Sequence, residues 1–167
     1  MSSLHVTDIK ALAAEAHRDS KVREELFSAM LEGDGREANN AAWALTHLPD
    51  SDNIHINSHR DALVHLAVTT CEVPMRRLSL ALLERLEWDV DDVRTDLLDF
   101  TLQRMIMNDE PYGVRALCVK LAYLQCRHYP ELINELYQTL QMMERTDMGS
   151  GLKHARKKIL MMIGTPE

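Results

Sequence analysis

The feature that most constrains the fold is a pattern of apolar residues that recurs every 38 positions. Residues 77–86 align without a gap on residues 115–124, one step of 38 further along the chain. A second step of the same length brings Gly113-Val114-Arg115 onto Gly151-Leu152-Lys153. A fixed period in this range indicates a stacked array of similar units rather than a closed bundle.

Four rows of equivalent positions stay apolar in every copy, which marks them as buried stripes. Two rows belong to the second half of each unit: Leu45, Leu83, Leu121, Ile159 and Leu48, Leu86, Leu124, Met162. Two weaker rows belong to the first half: Leu26, Val64, Leu102, Leu140 and Ala29, Ala67, Met105, Met143. Each unit is therefore predicted to be a pair of helices.

Composition supports helices as the elements of this repeat. The chain contains ten Met against six Gly and five Pro, with only two Trp, four Tyr and two Phe, which favours helix over strand. Apolar residues recur at helical spacing, and no stretch alternates with period two. Turn residues between the periodic segments predict about eight or nine helices, at about residues 6–17, 20–32, 36–48, 58–70, 74–87, 92–107, 112–128, 130–144 and 151–163.

The most specific motif is Asp109 followed by Val114-Arg115, and Asp147 and Lys153 repeat it 38 residues later. With this motif the chain resembles the HEAT/armadillo class of helical-repeat proteins over about residues 20–163. The resemblance implies that the Asp and Arg positions hydrogen-bond between adjacent repeats and serve stacking rather than chemistry.

Stacking follows from size, because a helix pair of about 38 residues cannot bury both of its faces alone. Together with the resemblance, this predicts an all-α fold in one domain, residues 1–167: a short right-handed α-α superhelix of about four helix pairs. The repeats are expected at about residues 20–48, 58–87, 92–126 and 130–163. The helix at 6–17 falls outside the period and is predicted to cap the stack. Two copies depart from the family pattern, with Asn39 in place of Arg and Cys71 in place of Asp.

Signatures of catalysis are absent from the sequence. It contains no GxSxG, GxxxxGK[ST] or GxGxxG motif and no HExxH or His-Glu pair, and the last absence argues against the iron-binding HEAT-repeat hydroxylases. All-α lyases of the fumarase and adenylosuccinate type have only a faint counterpart in residues 149–153, and they need several times this length. We therefore expect a non-enzyme with no cofactor and no catalytic residue.

Net charge separates two kinds of partner. The chain carries 19 basic and 26 acidic side chains, a formal charge of −7 and a pI near 5.6, which oppose the attraction that drives duplex binding. A protein partner is therefore expected. The alternative is a HEAT-like nucleic-acid-binding protein or DNA-lesion enzyme, to which the basic row Arg77, Arg115 and Lys153 would contribute. The resemblance assigns that row to stacking first.

Several polar clusters have more than one interpretation. His47, His55, His59 and His65 fall within twenty residues and are interpreted as surface histidines on a polar loop rather than as metal ligands. The three cysteines, at positions 71, 118 and 126, do not form a CxxC motif and are predicted to be small buried hydrophobic residues. In the acidic turn after residue 84, Asp91 or Asp92 is predicted to cap the helix that starts near Val93. The basic last helix either docks on an acidic partner or presents a solvated face.

The face expected to bind a partner lies opposite the buried leucine row of each second helix. It would line the inner curve of the stack, where Trp, Tyr and Arg are typical of interaction surfaces. The predicted partner-binding residues are Arg36, Asn40, Trp43, His47, Arg85, Tyr112 and Tyr123. Whether Trp43 lies in this face or fills the core between helices stays open.

The remaining expectations concern location and assembly. The N-terminal residues lack the layout of a signal peptide, and no apolar run approaches the ~20 residues of a membrane span. We therefore expect a cytoplasmic protein that does not bind membranes. A homodimer is plausible because a short array leaves apolar ends to cover.

Overall fold

The computed structural model describes residues 5–164, and within them it contains ten α-helices, three 3-10 turns and no strand. The all-α prediction is confirmed. The first four residues, on which the signal-peptide argument partly rests, lie outside the described part of the chain. The helices are α1 (Val6–Arg18), α2 (Ser20–Glu32), α3 (Gly35–Thr46), α4 (Asn53–Asn57), α5 (Arg60–Thr69), α6 (Val73–Glu84), α7 (Thr95–Arg104), α8 (Tyr112–Cys126), α9 (Pro130–Met142) and α10 (Ser150–Ile163).

Helix ends lie where the sequence places its turn residues. Asp19 caps α2 by accepting a hydrogen bond from the backbone N–H of Lys21 at 2.9 Å. Proline occupies the first turn of α6 and of α9, where a missing N–H costs nothing. The last helix ends at Gly164, whose φ of 71° is a conformation that favours glycine.

The structure adds one helix that the sequence did not predict. Helix α4 covers Asn53–Asn57, within a segment interpreted as loop. It ends after one turn because Ser58 Oγ donates to the carbonyl of His55, and Arg60 donates to Asn57 Oδ1, where a longer helix would continue. This break separates His55 from His59, which lies at the N-cap of α5.

The helices form two compact units, residues 1–86 and 87–167. In the first unit α2 packs on α3, α5 packs on α6, and α3 lies against α6. Helix α1 packs on both α2 and α3, as expected of a cap. In the second unit α7 packs on α8, α9 packs on α10, and α8 lies against α10. The single domain and the superhelix of about four pairs stay predictions.

The apolar rows are largely buried. Every member of the Leu45, Leu83, Leu121 and Ile159 row is at most 5 % exposed. In the neighbouring row Leu124 is half-buried, and the prediction for Met162 is wrong, because this side chain is 53 % exposed. Met162 lies in the last turn of α10, the final described helix of the stack.

Four arginines tie consecutive helices together. Each lies in the second of two consecutive helices and donates to a carbonyl at the end of the first: Arg23 to Ala16, Arg76 to Thr70, Arg115 to Met105 and Arg156 to Leu140, at 2.8–3.2 Å. The last carbonyls of a helix lack partners within it, so these bonds satisfy groups that would otherwise be left open.

The prediction that the basic row Arg77, Arg115 and Lys153 serves stacking between repeats is only partly correct. Arg115 is fully buried, and it also donates to the carbonyl of Asp147 at 2.7 Å and to Thr146 Oγ1 at 2.6 Å, in the turn between α9 and α10. This joins adjacent helix pairs, as the family resemblance implies. Arg77 and Lys153, in contrast, are exposed. In these two copies the bond to the preceding helix is made by Arg76, one position earlier, and by Arg156, three positions later.

Other hydrogen bonds join turns that are about one repeat apart in sequence. In the first unit, Arg85 at the end of α6 donates to the carbonyl of Thr46 at 3.3 Å and to Asn53 Oδ1 at 2.8 Å. In the second unit, Arg127 donates to the carbonyl of Trp88 at 3.1 Å, and Tyr129 donates from its hydroxyl to the carbonyl of Val90 at 2.7 Å. The repeat is thus fastened at its turns as well as in its core.

The acidic turn differs from expectation. Helix α7 begins at Thr95, after an Arg94 N-cap that makes no side-chain cap, so neither Asp91 nor Asp92 caps it. Asp89 and Asp92 instead form a reciprocal capping box around the 3-10 turn Val90–Asp92. The carboxylates of Asp89 and Asp92 therefore stabilise the 3-10 turn that precedes α7, and not α7 itself.

Candidate functional site

Four of the predicted binding residues lie on one side of α3. Arg36 and His47 are exposed, and Asn40 and Trp43 are half-buried, at helical spacings of four, three and four residues. The opposite side of α3 is built from small residues and a leucine, all buried: Ala38, Ala41, Ala42, Ala44 and Leu45. The alanines let α3 approach its neighbours closely, and the polar and aromatic residues are left on the outside.

Trp43 is half-buried on this outward side of α3. Its ring centroid lies 6.3 Å from that of His47 with the planes tilted by 51°, so the two rings form one aromatic surface at the end of α3. In the first unit the fully buried aromatic side chain is Phe27 of α2. Trp43 is therefore only partly covered and retains surface for a partner.

A cleft of about 350 Å³ opens beside this surface. Its walls combine three groups that can carry positive charge with a small apolar floor: Lys10, His17 and His47 with Ala13, Ala14 and Pro49. Sequence reasoning missed the residues from α1. A signal was present, because positions 10, 13, 14 and 17 share one face of a helix.

His17 is held at the edge of the cleft by a buried carboxylate. Its Nδ1 lies 2.7 Å from Oδ2 of Asp52, whose side chain is 5 % exposed. An ionised carboxylate only accepts hydrogen bonds, so we assign the proton to Nδ1, which leaves Nε2 for another partner. His55 Nε2 lies 3.9 Å from the other oxygen of Asp52. The contact between His17 and Asp52 links α1 to the segment that follows α3.

Arg85 lies in the same unit, but its guanidinium is engaged within the fold. Besides its bonds to Thr46 and Asn53, it donates to the carbonyl of Pro49 at 3.1 Å, and Asp50 Oδ1 lies 3.8 Å away. Burial lowers the pKa of Arg85, opposed by the nearby carboxylates of Asp50 and Asp52. Its primary role in this structure is to fix the turn after α3, next to the cleft.

Tyr112 and Tyr123 belong to the second unit, residues 87–167. Tyr112 is exposed, but its hydroxyl donates to Asp147 Oδ2 at 2.7 Å, and this bond raises the pKa of the phenol. Its ring lies so close to Gly149 that a Cβ there would come within 2.8 Å of it. Tyr123 is half-buried on α8. Tyr112 therefore fastens a turn, and Tyr123 retains some accessible surface.

The four clustered histidines do not converge. His59 stacks on Phe27 with ring centroids 4.1 Å apart and places Nε2 3.0 Å from Glu24 Oε2. His47 faces the cleft, His55 faces Asp52, and His65 is exposed. Within residues 5–164, no group of three or more His, Cys, Asp or Glu side chains has the geometry to hold a metal ion.

The cysteines differ from one another in exposure. Cys118 and Cys126 are buried, as predicted, whereas Cys71 is exposed because it lies in the turn between α5 and α6. Burial, with a smaller contribution from Glu135, raises the pKa of the Cys126 thiol to about 12. Cys126 therefore acts as a small apolar side chain and not as a nucleophile.

Comparison with known proteins gives one result. A family model described as HEAT repeat domain matches residues 1–163. Searches of curated proteins and of solved structures give no match. None of the described helices combines the length and apolar character needed to cross a bilayer. The recurring helix pairs, the turn-fastening hydrogen bonds and this match lead to one conclusion: the chain belongs to the HEAT repeat family of helical-repeat proteins.

Proposed function

We propose that this chain is a non-catalytic protein-interaction module that binds a segment of another protein on the outward side of α3 and in the adjoining cleft. The single observation that carries the proposal is the junction of Trp43 and His47 with a cleft of about 350 Å³. Tryptophan is among the residues that most often dominate the binding energy of an interface, and Trp43 stands next to His47, which lines the cleft. HEAT repeats generally serve interaction rather than catalysis, which agrees with this role.

The chemistry of the cleft indicates what it would accept. Ala13, Ala14 and Pro49 offer an apolar floor, and the basic side chains at its walls offer donors and positive charge. An acidic side chain of the partner would fit the cleft while an apolar neighbour packs on Trp43. The Asp52 carboxylate supports this by holding His17 in place, so less ordering is needed when the partner binds.

The finer architecture is part of the same proposal. We propose a short right-handed α-α superhelix of about four helix pairs, with the seven predicted residues on its concave face. Family membership supports this arrangement. A cytoplasmic location and a homodimer also remain proposals.

Affinity capture from the native cell, read by mass spectrometry, tests the function. The wild-type chain is expected to retain a specific protein that the variant Trp43→Ala with His47→Ala loses, with a dissociation constant raised about 30-fold or more. The matched control is Tyr137→Ala with His65→Ala, which also removes a half-buried aromatic and an exposed histidine. Equal retention by both variants would contradict the site.

The same experiment addresses the alternative function. A nucleic-acid-binding protein or DNA-lesion enzyme would retain duplex DNA through Lys10, Arg36 and His47, with affinity that falls steeply as salt rises. Capture of nucleic acid in place of protein, lost in the α3 variant, would favour that reading over a protein partner.

A further inference from the structure

The outer side of α10 carries a second surface that the proposed function does not use. Leu152, Ala155 and Ile159 turn inward and are at most 5 % exposed, and α10 packs through this side on α8 and α9. The opposite side is exposed along its whole length: Lys153, His154, Lys157, Lys158, Met161 and Met162. We call these six residues the α10 face.

The α10 face is basic and unneutralised. Helix α10 contains no acidic residue. Among the described residues, Lys153, Lys157 and Lys158 form no ion pair, and the contact between Arg156 and Glu144 at 3.2 Å uses a different side of the helix. A chain with a net charge of −7 thus concentrates uncompensated positive charge on one helix.

Two methionines complete this face at its C-terminal end. Met161 is 75 % exposed and Met162 is 53 % exposed, which places both among the most exposed large apolar side chains in residues 5–164. Methionine side chains adapt to differently shaped partners, and adjacent exposed apolar groups are typical of interaction sites. The charge and the apolar end are independent observations on one surface.

We propose that the α10 face binds an acidic segment of a partner protein, with carboxylates on the three lysines and an apolar side chain against Met161 and Met162. A nucleic acid would leave the methionines without a function, and the negative charge of the chain opposes it. A membrane-surface helix needs an apolar stripe along its length, whereas the stripe of α10 is buried inside the protein. This proposal does not depend on the α3 site.

The test uses the full chain and a labelled synthetic peptide of about 12 residues that contains Glu and Asp with two Leu at one end. Binding is measured by fluorescence anisotropy and mapped by amide chemical shifts. We expect binding that weakens as salt rises to about 0.3 M, with shifts concentrated on residues 153–162. Lys153→Glu, Lys157→Glu and Lys158→Glu together should weaken it at least about tenfold. Met161→Ala with Met162→Ala should weaken binding of this peptide but not of one without Leu.

The control reverses three exposed cations elsewhere, Lys21, Lys120 and Arg145, to Glu, which changes the net charge equally. Exchange of the three α10 lysines for Gln provides a second, milder variant if charge reversal disturbs folding. Equal losses in the control and α10 variants, shifts outside α10, or no binding would overturn the proposal. The proposal would also be overturned if duplex DNA or phosphatidylserine vesicles bound more tightly than the peptide and depended on the three lysines. Self-association of the chain without peptide, if it depended on these lysines, would overturn it as well.

Discussion

Arg77, Arg115 and Lys153 are equivalent by the 38-residue period, yet the structure buries Arg115 alone. The family resemblance implied that cations at this position join neighbouring helix pairs, and Arg115 does so through Thr146 and Asp147. The 38-residue period did not predict that in another copy the adjacent Arg76 is the buried cation, donating to the carbonyl of Thr70 within its own helix pair, because one residue rotates a side chain by about 100° around a helix. A small rotation of the helix therefore decides which of two neighbouring cations points inward.

The burial of Arg115 leads to a stability prediction. Arg115→Met should lower the free energy of unfolding by about 2–4 kcal/mol, because the carbonyls of Met105 and Asp147 lose a charged donor inside the fold. Arg77→Met, at the exposed equivalent position, should change it by less than about 0.5 kcal/mol. Denaturant unfolding followed by circular dichroism measures both. Equal effects would show that the guanidinium is not a structural hub.

Cys126 leads to a prediction about pH. The folded protein holds the thiol protonated up to about pH 12, whereas in the unfolded chain it ionises near its ordinary pKa of 9.0. The unfolded chain therefore binds fewer protons between these values, and the free energy of unfolding falls as pH rises through this window. In Cys126→Ala this decline should be shallower than in the wild type. Identical slopes from pH 9 to 11 would contradict the assignment.

At the level of elements, sequence periodicity located nine of the ten described helices, and it missed only α4. That helix is one turn long and is defined by local side-chain bonds around Ser58 and Arg60, which no apolar period records. The cleft was missed for a similar reason. It depends on how α1 lies against α3, and α1 falls outside the repeat that guided the prediction. The α3 residues themselves were found because they lie opposite a buried row.

The attachment of α1 can be tested through a pair of neighbouring carboxylates. Asp52→Ala removes the acceptor of His17 and should speed amide exchange in Val6–Arg18 about tenfold, because α1 then keeps only its packing and the hydrogen bond from Arg23 to the carbonyl of Ala16. Asp50→Ala is the control, since the side chain of Asp50 is 98 % exposed. Hydrogen exchange read by mass spectrometry measures both. Unchanged exchange in α1 would mean that the contact contributes nothing to its docking.

At the level of the whole molecule, the two compact units each contain one tryptophan, Trp43 in residues 1–86 and Trp88 in residues 87–167. Family membership and helix content were predictable from the repeat, since both follow from local sequence. Whether residues 1–86 and 87–167 unfold together could not be predicted in the same way, because cooperativity is a property of the whole chain and not of local sequence.

The tryptophans make the single-domain prediction testable. Trp43→Phe leaves a reporter of the second unit, and Trp88→Phe leaves a reporter of the first. One cooperative domain requires both fluorescence transitions in denaturant to coincide with the loss of helicity. Two separated midpoints would show that residues 1–86 and 87–167 unfold as independent domains.

The central claim is that the side of α3 with the adjoining cleft binds a partner protein. Deuterium uptake of the chain, alone and with its captured partner, tests this most directly. We predict slower exchange in residues 36–47 and 10–17, which is restored to the free rate in Trp43→Ala with His47→Ala. Protection confined to other helices, with these two segments unchanged, would contradict the claim.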